Sequence, residues 1–135
     1  MAVSYKVVSK RPGGLAGENP PKYYPVVTKR SLVDTRDLAE EISSRNSFST
    51  ADVIGIIESL IQMVPEKLQQ GSNVRLDGFG TFSLHVSAVG QEDPAKVTKR
   101  DITKVKMAFL PSKHIKKKLT GTTFTKVPKS RRKTG

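Results

Sequence analysis

Fourteen of the chain's 24 Lys/Arg residues fall after Asp93, opposed by one acid, Asp101. Lys96, Lys99, Arg100, Lys104 and Lys106 come first, and Lys113, Lys116, Lys117 and Lys118 follow within six positions. Lysine is a flexible point charge, suited to tracking phosphates and poor at bidentate reading of base edges. Duplex DNA carries a dense line of phosphate charge, and each neutralised phosphate releases counterions. Such contacts give affinity without reading sequence. Thirteen net positive charges in 42 residues point to a polyanionic partner.

The rest of the charge is arranged differently. Residues 1–33 carry six Lys/Arg against one acid, and residues 34–93 carry four against ten. The middle segment is therefore excluded as the main nucleic-acid surface. Catalytic chemistry has little to work with. His85 and His114 are the only histidines, there is no cysteine, and no Gly-rich phosphate loop or nucleophile motif occurs. The expectation is a protein that is not an enzyme, with no cofactor, metal or small-molecule substrate. Met1–Lys6 lacks an apolar signal-peptide core, and no apolar run reaches membrane-spanning length. This predicts a soluble, intracellular chain with no membrane partner.

The elements that must position the lysines centre on Val74-Arg75-Leu76-Asp77-Gly78-Phe79-Gly80-Thr81-Phe82. Two glycines flank one large apolar anchor, so the backbone can turn tightly on either side of Phe79. Upstream, Asp34 or Thr35 can cap a helix whose apolar stripe is Leu38, Ala39 and Ile42. Ser49-Thr50-Ala51-Asp52 then opens a second helix to about Gln70, with Gly71 as its stop. Apolar residues from Val53 to Leu68 give it a broad face, more than one small subunit can cover. A helix so apolar is core rather than a base-reading element. Downstream, Phe82, Leu84, Val86 and Ala88 alternate with Ser83, His85 and Ser87 as a half-buried strand. A return strand is predicted from about Val97 to Leu110, with Gly90–Ala95 as the turn. Pro111–Leu119 reads as a short helix with Ile115 and Leu119 inward.

A two-helix unit, then V-R-L-D-G-F-G-T-F, a long strand pair and the lysine-rich F-L-P-S-K-H-I-K-K-K-L resemble the bacterial histone-like HU and integration host factor family. The resemblance runs from about Asp34 to Leu119. It implies an α+β fold: two N-terminal helices, a three-stranded antiparallel sheet extended into a β-arm, and a C-terminal helix, as an intertwined homodimer. It also implies largely sequence-independent binding of double-stranded DNA by a nucleoid architectural protein. The DNA-contact candidates are Arg75, Lys96, Lys99, Arg100, Lys104, Lys106, Lys113, Lys116 and Lys117. The alternatives are an RNA- or ribosome-associated basic protein, and an HU-like interaction module that no longer bends DNA.

The chain departs from the family at the arm tip. Family members carry Asn-Pro followed two residues later by Thr-Gly, and the proline wedges between base steps. Here Pro94 follows Glu92 and Asp93, and Ala95-Lys96-Val97-Thr98 stands in place of Thr-Gly. Pro94 is either that wedge or a plain turn proline. The two acids favour weak bending.

Three segments result: 1–33, 34–119 and 120–135. Residues 3–8 and 23–28 read as two strands joined by a breaker-rich loop, with Pro25 confining the second to an edge or bulge. This extension resembles enlarged histone-like proteins of Bacteroides-type bacteria. It either alters dimer or DNA contacts or is a structural addition. Residues 122–127 could form a further strand, and 128–135 read as a basic disordered tail.

Overall fold

The computed structural model describes residues 2–10 and 20–128. Most of the breaker-rich loop and nearly all of the basic tail lie outside the described residues. The chain forms two compact units, one from residues 1–32 and 120–135, the other from Val33–Leu119.

In the larger unit, α1 spans Thr35–Arg45 and α2 spans Thr50–Gln69. Asp34 caps α1 reciprocally: its carboxylate accepts from the Asp37 N–H at 2.9 Å, and Asp37 accepts from the Asp34 N–H at 3.1 Å. The Asp37 N–H holds the Asp34 carboxyl below its usual range. Ser49 Oγ accepts from the Asp52 N–H at the start of α2. The helix continues through Pro65, whose missing donor costs one hydrogen bond without ending it. Its end is a Schellman closure, with Ser72 N–H bonded to Lys67 O and Gly71 N–H to Leu68 O. Gly71 takes φ 88°, the left-handed conformation that glycine adopts without strain.

In the smaller unit, β1 (Val3–Lys10) pairs antiparallel with β2 (Lys22–Val27) and parallel with a strand near the C-terminus, β6 (Phe124–Lys126). Segments from both ends of the chain thus share one sheet. Pro25 lies on β2, an edge strand, where its missing N–H costs no ladder bond.

The second sheet belongs to the larger unit and follows α2. Its strands are β3 (Val74–Leu76), β4 (Gly80–Ala88) and β5 (Ile102–Pro111), antiparallel in that order. The core is small. Ala39, Val53, Val64 and Leu68 are the buried apolar residues, while Ile56, Leu60, Ile61 and Met63 stay exposed along α2.

The return strand begins at Ile102 rather than near Val97. Pro94–Lys96 and Lys99–Asp101 are instead two successive 3-10 turns. Asp101 closes the second turn on Thr98: its carboxylate accepts from the Thr98 N–H at 2.9 Å and its own N–H donates to Thr98 O at 3.0 Å, and that local pairing outcompetes extension of the ladder. β4 and β5 run in register from Gly80↔Pro111 to Ser87↔Lys104, then shift by one residue before Ala88↔Ile102. The shift is a bulge at Thr103, whose hydroxyl donates to Ser87 O at 3.2 Å.

The final helix, α3, spans Lys113–Leu119. Ile115 is half-buried, but Leu119 is exposed in this chain, against the expectation that it turns inward.

Candidate nucleic-acid interface

The Gly78-Phe79-Gly80 stretch fixes where the basic elements start. Leu76–Phe79 is a turn closed by the Phe79 N–H to Leu76 O at 2.9 Å, with Gly78 at φ 81°. Positive φ at the third residue is the geometry of a type II turn. Gly80 is needed for a different reason. A Cβ there would sit 2.5 Å from Leu110 O and 2.5 Å from the Phe109 ring. That ring lies between Phe79 and Phe82, with centroids 5.1 and 4.9 Å away.

Ser112 ties α3 to this turn. Its N–H donates to Phe79 O and its hydroxyl donates to Gly78 O, both at 2.9 Å. The same hydroxyl accepts from the Ile115 N–H at 3.2 Å, which makes Ser112 the cap of α3. The lysine-rich helix is therefore aimed by four residues, Gly78, Phe79, Gly80 and Ser112. Sequence reasoning does not single out Ser112, although a serine directly before the helical residues is a cap signal.

Strand alternation divides the lysines from the apolar residues. The register puts Phe82, Leu84 and Val86 on one face of β4–β5 with Phe109, Met107 and Val105. The other face carries Ser83, His85 and Ser87 with Ala108, Lys106 and Lys104. Arg75 pairs across from Thr81, so it belongs to this polar face. Its guanidinium Nε lies 3.0 Å from Asp77 Oδ1, both groups largely exposed. An ion pair so exposed contributes little. On α3, a turn of 100° per residue places Lys113, Lys116 and Lys117 within an arc of about 100°. Lys117, which its place in the sequence does not group with the other two, thus joins them. Lys118 points to a different side, about 140° from Lys113 by the same geometry.

The tip gathers Lys96, Lys99 and Arg100 on its two 3-10 turns, all exposed. Asp101 organises it. Its carboxylate accepts from the Thr98 N–H and from the Gln91 amide, both at 2.9 Å, and its carbonyl accepts from the Val89 N–H at 2.8 Å. The Thr98 N–H, then the Gln91 amide, hold this carboxyl below its usual range. Pro94 occupies the first position of its turn, and the Asp93 carboxylate in front accepts from the Ala95 N–H at 3.0 Å. Among the described residues, no group of three or more His, Cys, Asp or Glu is placed to hold a metal ion. No helix among them is long and apolar enough to cross a membrane.

Known proteins are similar to this chain in sequence or in fold. Integration host factor subunit alpha of Erythrobacter litoralis is 38% identical over 48 residues, covering 36% of this chain and 48% of the relative. The chain thus spans about half the length of the first curated relatives it matches. Among solved structures, the HU–DNA cocrystal structure from Anabaena superposes with a TM-score of 0.52 at 17% identity, covering 66% of this chain and 99% of that one. A Bacteroides vulgatus protein provisionally described as bacterial and DNA-binding gives a TM-score of 0.63 at 11% identity, covering 93% of this chain and 48% of that one. The model of one family, described as an HU domain fused to wHTH, Ig, or glycine-rich motif, matches residues 1–126. The chain belongs to this HU-HIG family.

Proposed function

We propose that the chain binds double-stranded DNA with little sequence preference, as a dimeric, nucleoid-associated architectural protein. One observation carries the reading. From Ile102 to Leu119, along β5 and α3, the chain carries six lysines and no carboxylate. Lys104 and Lys106 share one strand face, and Lys113, Lys116 and Lys117 share one helix face. Fields of one sign on regular elements favour phosphate tracking over base reading. Arg75, Lys96, Lys99 and Arg100 complete the proposed contact set. The dimer is supported by the apolar residues left exposed on α2 and on the apolar face of β4–β5, among them Ile56, Val86, Val105 and Met107. A second copy of the same surface covers such a patch most simply.

The test is a salt titration of binding to duplex DNA, duplex RNA and single strands. Binding to unrelated DNA duplexes should be nearly equal. Lys113→Gln with Lys116→Gln should weaken all of them alike and flatten log K against log salt by up to about 0.9 for each phosphate no longer neutralised. Equal affinity for duplex RNA, or preference for single strands, would favour the RNA-associated alternative. An unchanged slope with full affinity would move the interface off α3.

Bending is a separate expectation. Glu92 and Asp93 sit beside Pro94 at an exposed tip, where a phosphate-lined groove repels them. Wedging by Pro94 would also have to offset the cost of unstacking a base step. Pro94→Ala should leave affinity nearly unchanged. Replacing Glu92 and Asp93 with Asn should strengthen binding, most at low salt where exposed charges are least screened. End-to-end energy transfer on a labelled duplex decides the matter. A large bend that vanishes with the proline would establish the wedge.

A further inference from the structure

The smaller unit has a charge pattern that the arm and α3 do not explain. Its described residues include Lys6, Lys10, Lys22, Lys29, Arg30 and Lys126, and no Asp or Glu. None of the ion pairs among the described residues falls in this unit. The strand register sorts these cations. Lys6 opposes Val26, Val8 opposes Tyr24, and Lys10 opposes Lys22, so Lys6, Lys10, Lys22 and Tyr24 share one face of the β1–β2 pair. All three lysines are exposed, and so is Tyr24. The opposite face is apolar, with a groove of about 580 Å³ lined by Tyr5, Val7, Tyr23, Pro25, Val27 and Phe124, which Tyr24 also borders. Lys126, in register with Tyr5, is the lysine on that side, at the edge strand.

Resting on the DNA-binding reading above, we infer that the Lys6–Lys10–Lys22–Tyr24 face of the accessory sheet is a second phosphate-backbone contact surface for duplex DNA. Two lysines directly opposite each other on neighbouring strands repel. Lys10 and Lys22 stand in that position, with no carboxylate among the described residues of their unit to relieve them. A line of phosphates is a counter-charge of the kind this pair takes. Lys6 and Lys10 are four positions apart on one strand, about 13 Å at strand rise. Phosphates follow one another every 3.4 Å or so of axis along each DNA strand, so both lysines reach one run of backbone. The Tyr24 hydroxyl can donate to a phosphate oxygen of the same run. β6 ends beside Lys6, since the Val127 N–H bonds to Tyr5 O, and the sequence then continues with Lys129, Arg131, Arg132 and Lys133. Positive charge thus goes on building in the sequence directly after the strand that pairs with β1.

The test uses the full chain with Lys6→Gln, Lys10→Gln and Lys22→Gln combined, beside wild type and a Lys-to-Arg version of the same three positions. Slopes of log K against log salt are measured on one long duplex, with anionic lipid vesicles as a parallel arm. The Gln variant should reduce the slope by up to about 2.7 for each chain in contact with the duplex, at about 0.9 for each of three phosphates, and the Arg version should leave it unchanged. Without DNA the Gln variant should melt no lower than wild type, because a repulsive pair has been removed. A folded Gln variant with a wild-type slope on DNA overturns the inference, while strong wild-type binding leaves the DNA-binding reading standing. An effect confined to the vesicle arm also overturns it, in favour of a membrane surface. Absence of duplex binding by wild type removes both.

Discussion

Leu60→Asp is expected to abolish folding rather than to release a soluble monomer. In the single chain Leu60 is 37% exposed, and its neighbours Ile56, Ile61 and Met63 are more so. If one chain were the whole folding unit, an aspartate at a site still about one-third open to water would cost part of a leucine's burial and leave the chain folded. If α2 packs against a second copy, the same aspartate is an unpaired charge in a desolvated interface, which costs several kcal/mol in practice. The two outcomes are far apart, so the substitution reads the oligomeric state and not only stability. A core of Ala39, Val53, Val64 and Leu68 is too small to make up such a deficit. Because an obligate dimer has no stable monomer to fall back on, the variant should lose its cooperative melt, and the wild-type melting temperature should rise with protein concentration. A well-folded Leu60→Asp monomer by light scattering at micromolar concentration would show that the exposed face of α2 is not a dimer core.

What can be seen in the sequence follows the range of the interactions involved. Asp34 and Gly71 mark helix ends through hydrogen bonds that span three to five residues, and both ends fall where residue type alone places them. The alternation of Phe82, Leu84 and Val86 is equally local, and β4 carries it on one face. Val97 reads as part of the return strand because it is β-branched and precedes an alternating run. The competing signal is Asp101, whose carboxylate takes the Thr98 N–H across a 3-10 turn, and the Gln91 amide that also holds that carboxylate lies ten residues away. Pairing of β6 with β1 joins residues about as far apart as the chain permits, over three positions. No periodicity within Thr122–Val127 encodes that partner. At the candidate interface, lysine type and density are legible in the sequence, and so is the shared face of Lys104 and Lys106, two positions apart on one strand. What the register adds is the residues that stand opposite them, Ser87 and His85.

Gly80→Ala is expected to damage both stability and DNA binding, out of proportion to one methyl group. The added Cβ would lie 2.5 Å from the Leu110 carbonyl oxygen and 2.5 and 2.7 Å from two atoms of the Phe109 ring. The oxygen belongs to the neighbouring strand and cannot swing away, and the ring is held between Phe79 and Phe82. Relief therefore requires β4 and β5 to separate where they meet, at Gly80↔Pro111. Overpacking of this kind costs about 2 kcal/mol, roughly 10 °C in melting temperature for a unit of this size. The glycines nearby set the scale. At Gly78 a methyl group meets nothing within 4 Å, but φ 81° penalises any side chain, so Gly78→Ala should cost about 1 kcal/mol. Gly90 has open space and ordinary φ, and Gly90→Ala should change little. The ranking Gly80, Gly78, Gly90 thus follows steric contact first and backbone conformation second. Affinity should fall in the same order. Ser112 hangs α3 from Gly78 O and Phe79 O, so displacing this junction turns Lys113, Lys116 and Lys117 away from the strand lysines. The check is a melt and a salt titration on each of the three variants. A Gly80→Ala protein that melts with wild type would show that the strands yield at no cost, and that the Gly78–Gly80 junction does not set the direction of the lysine helix.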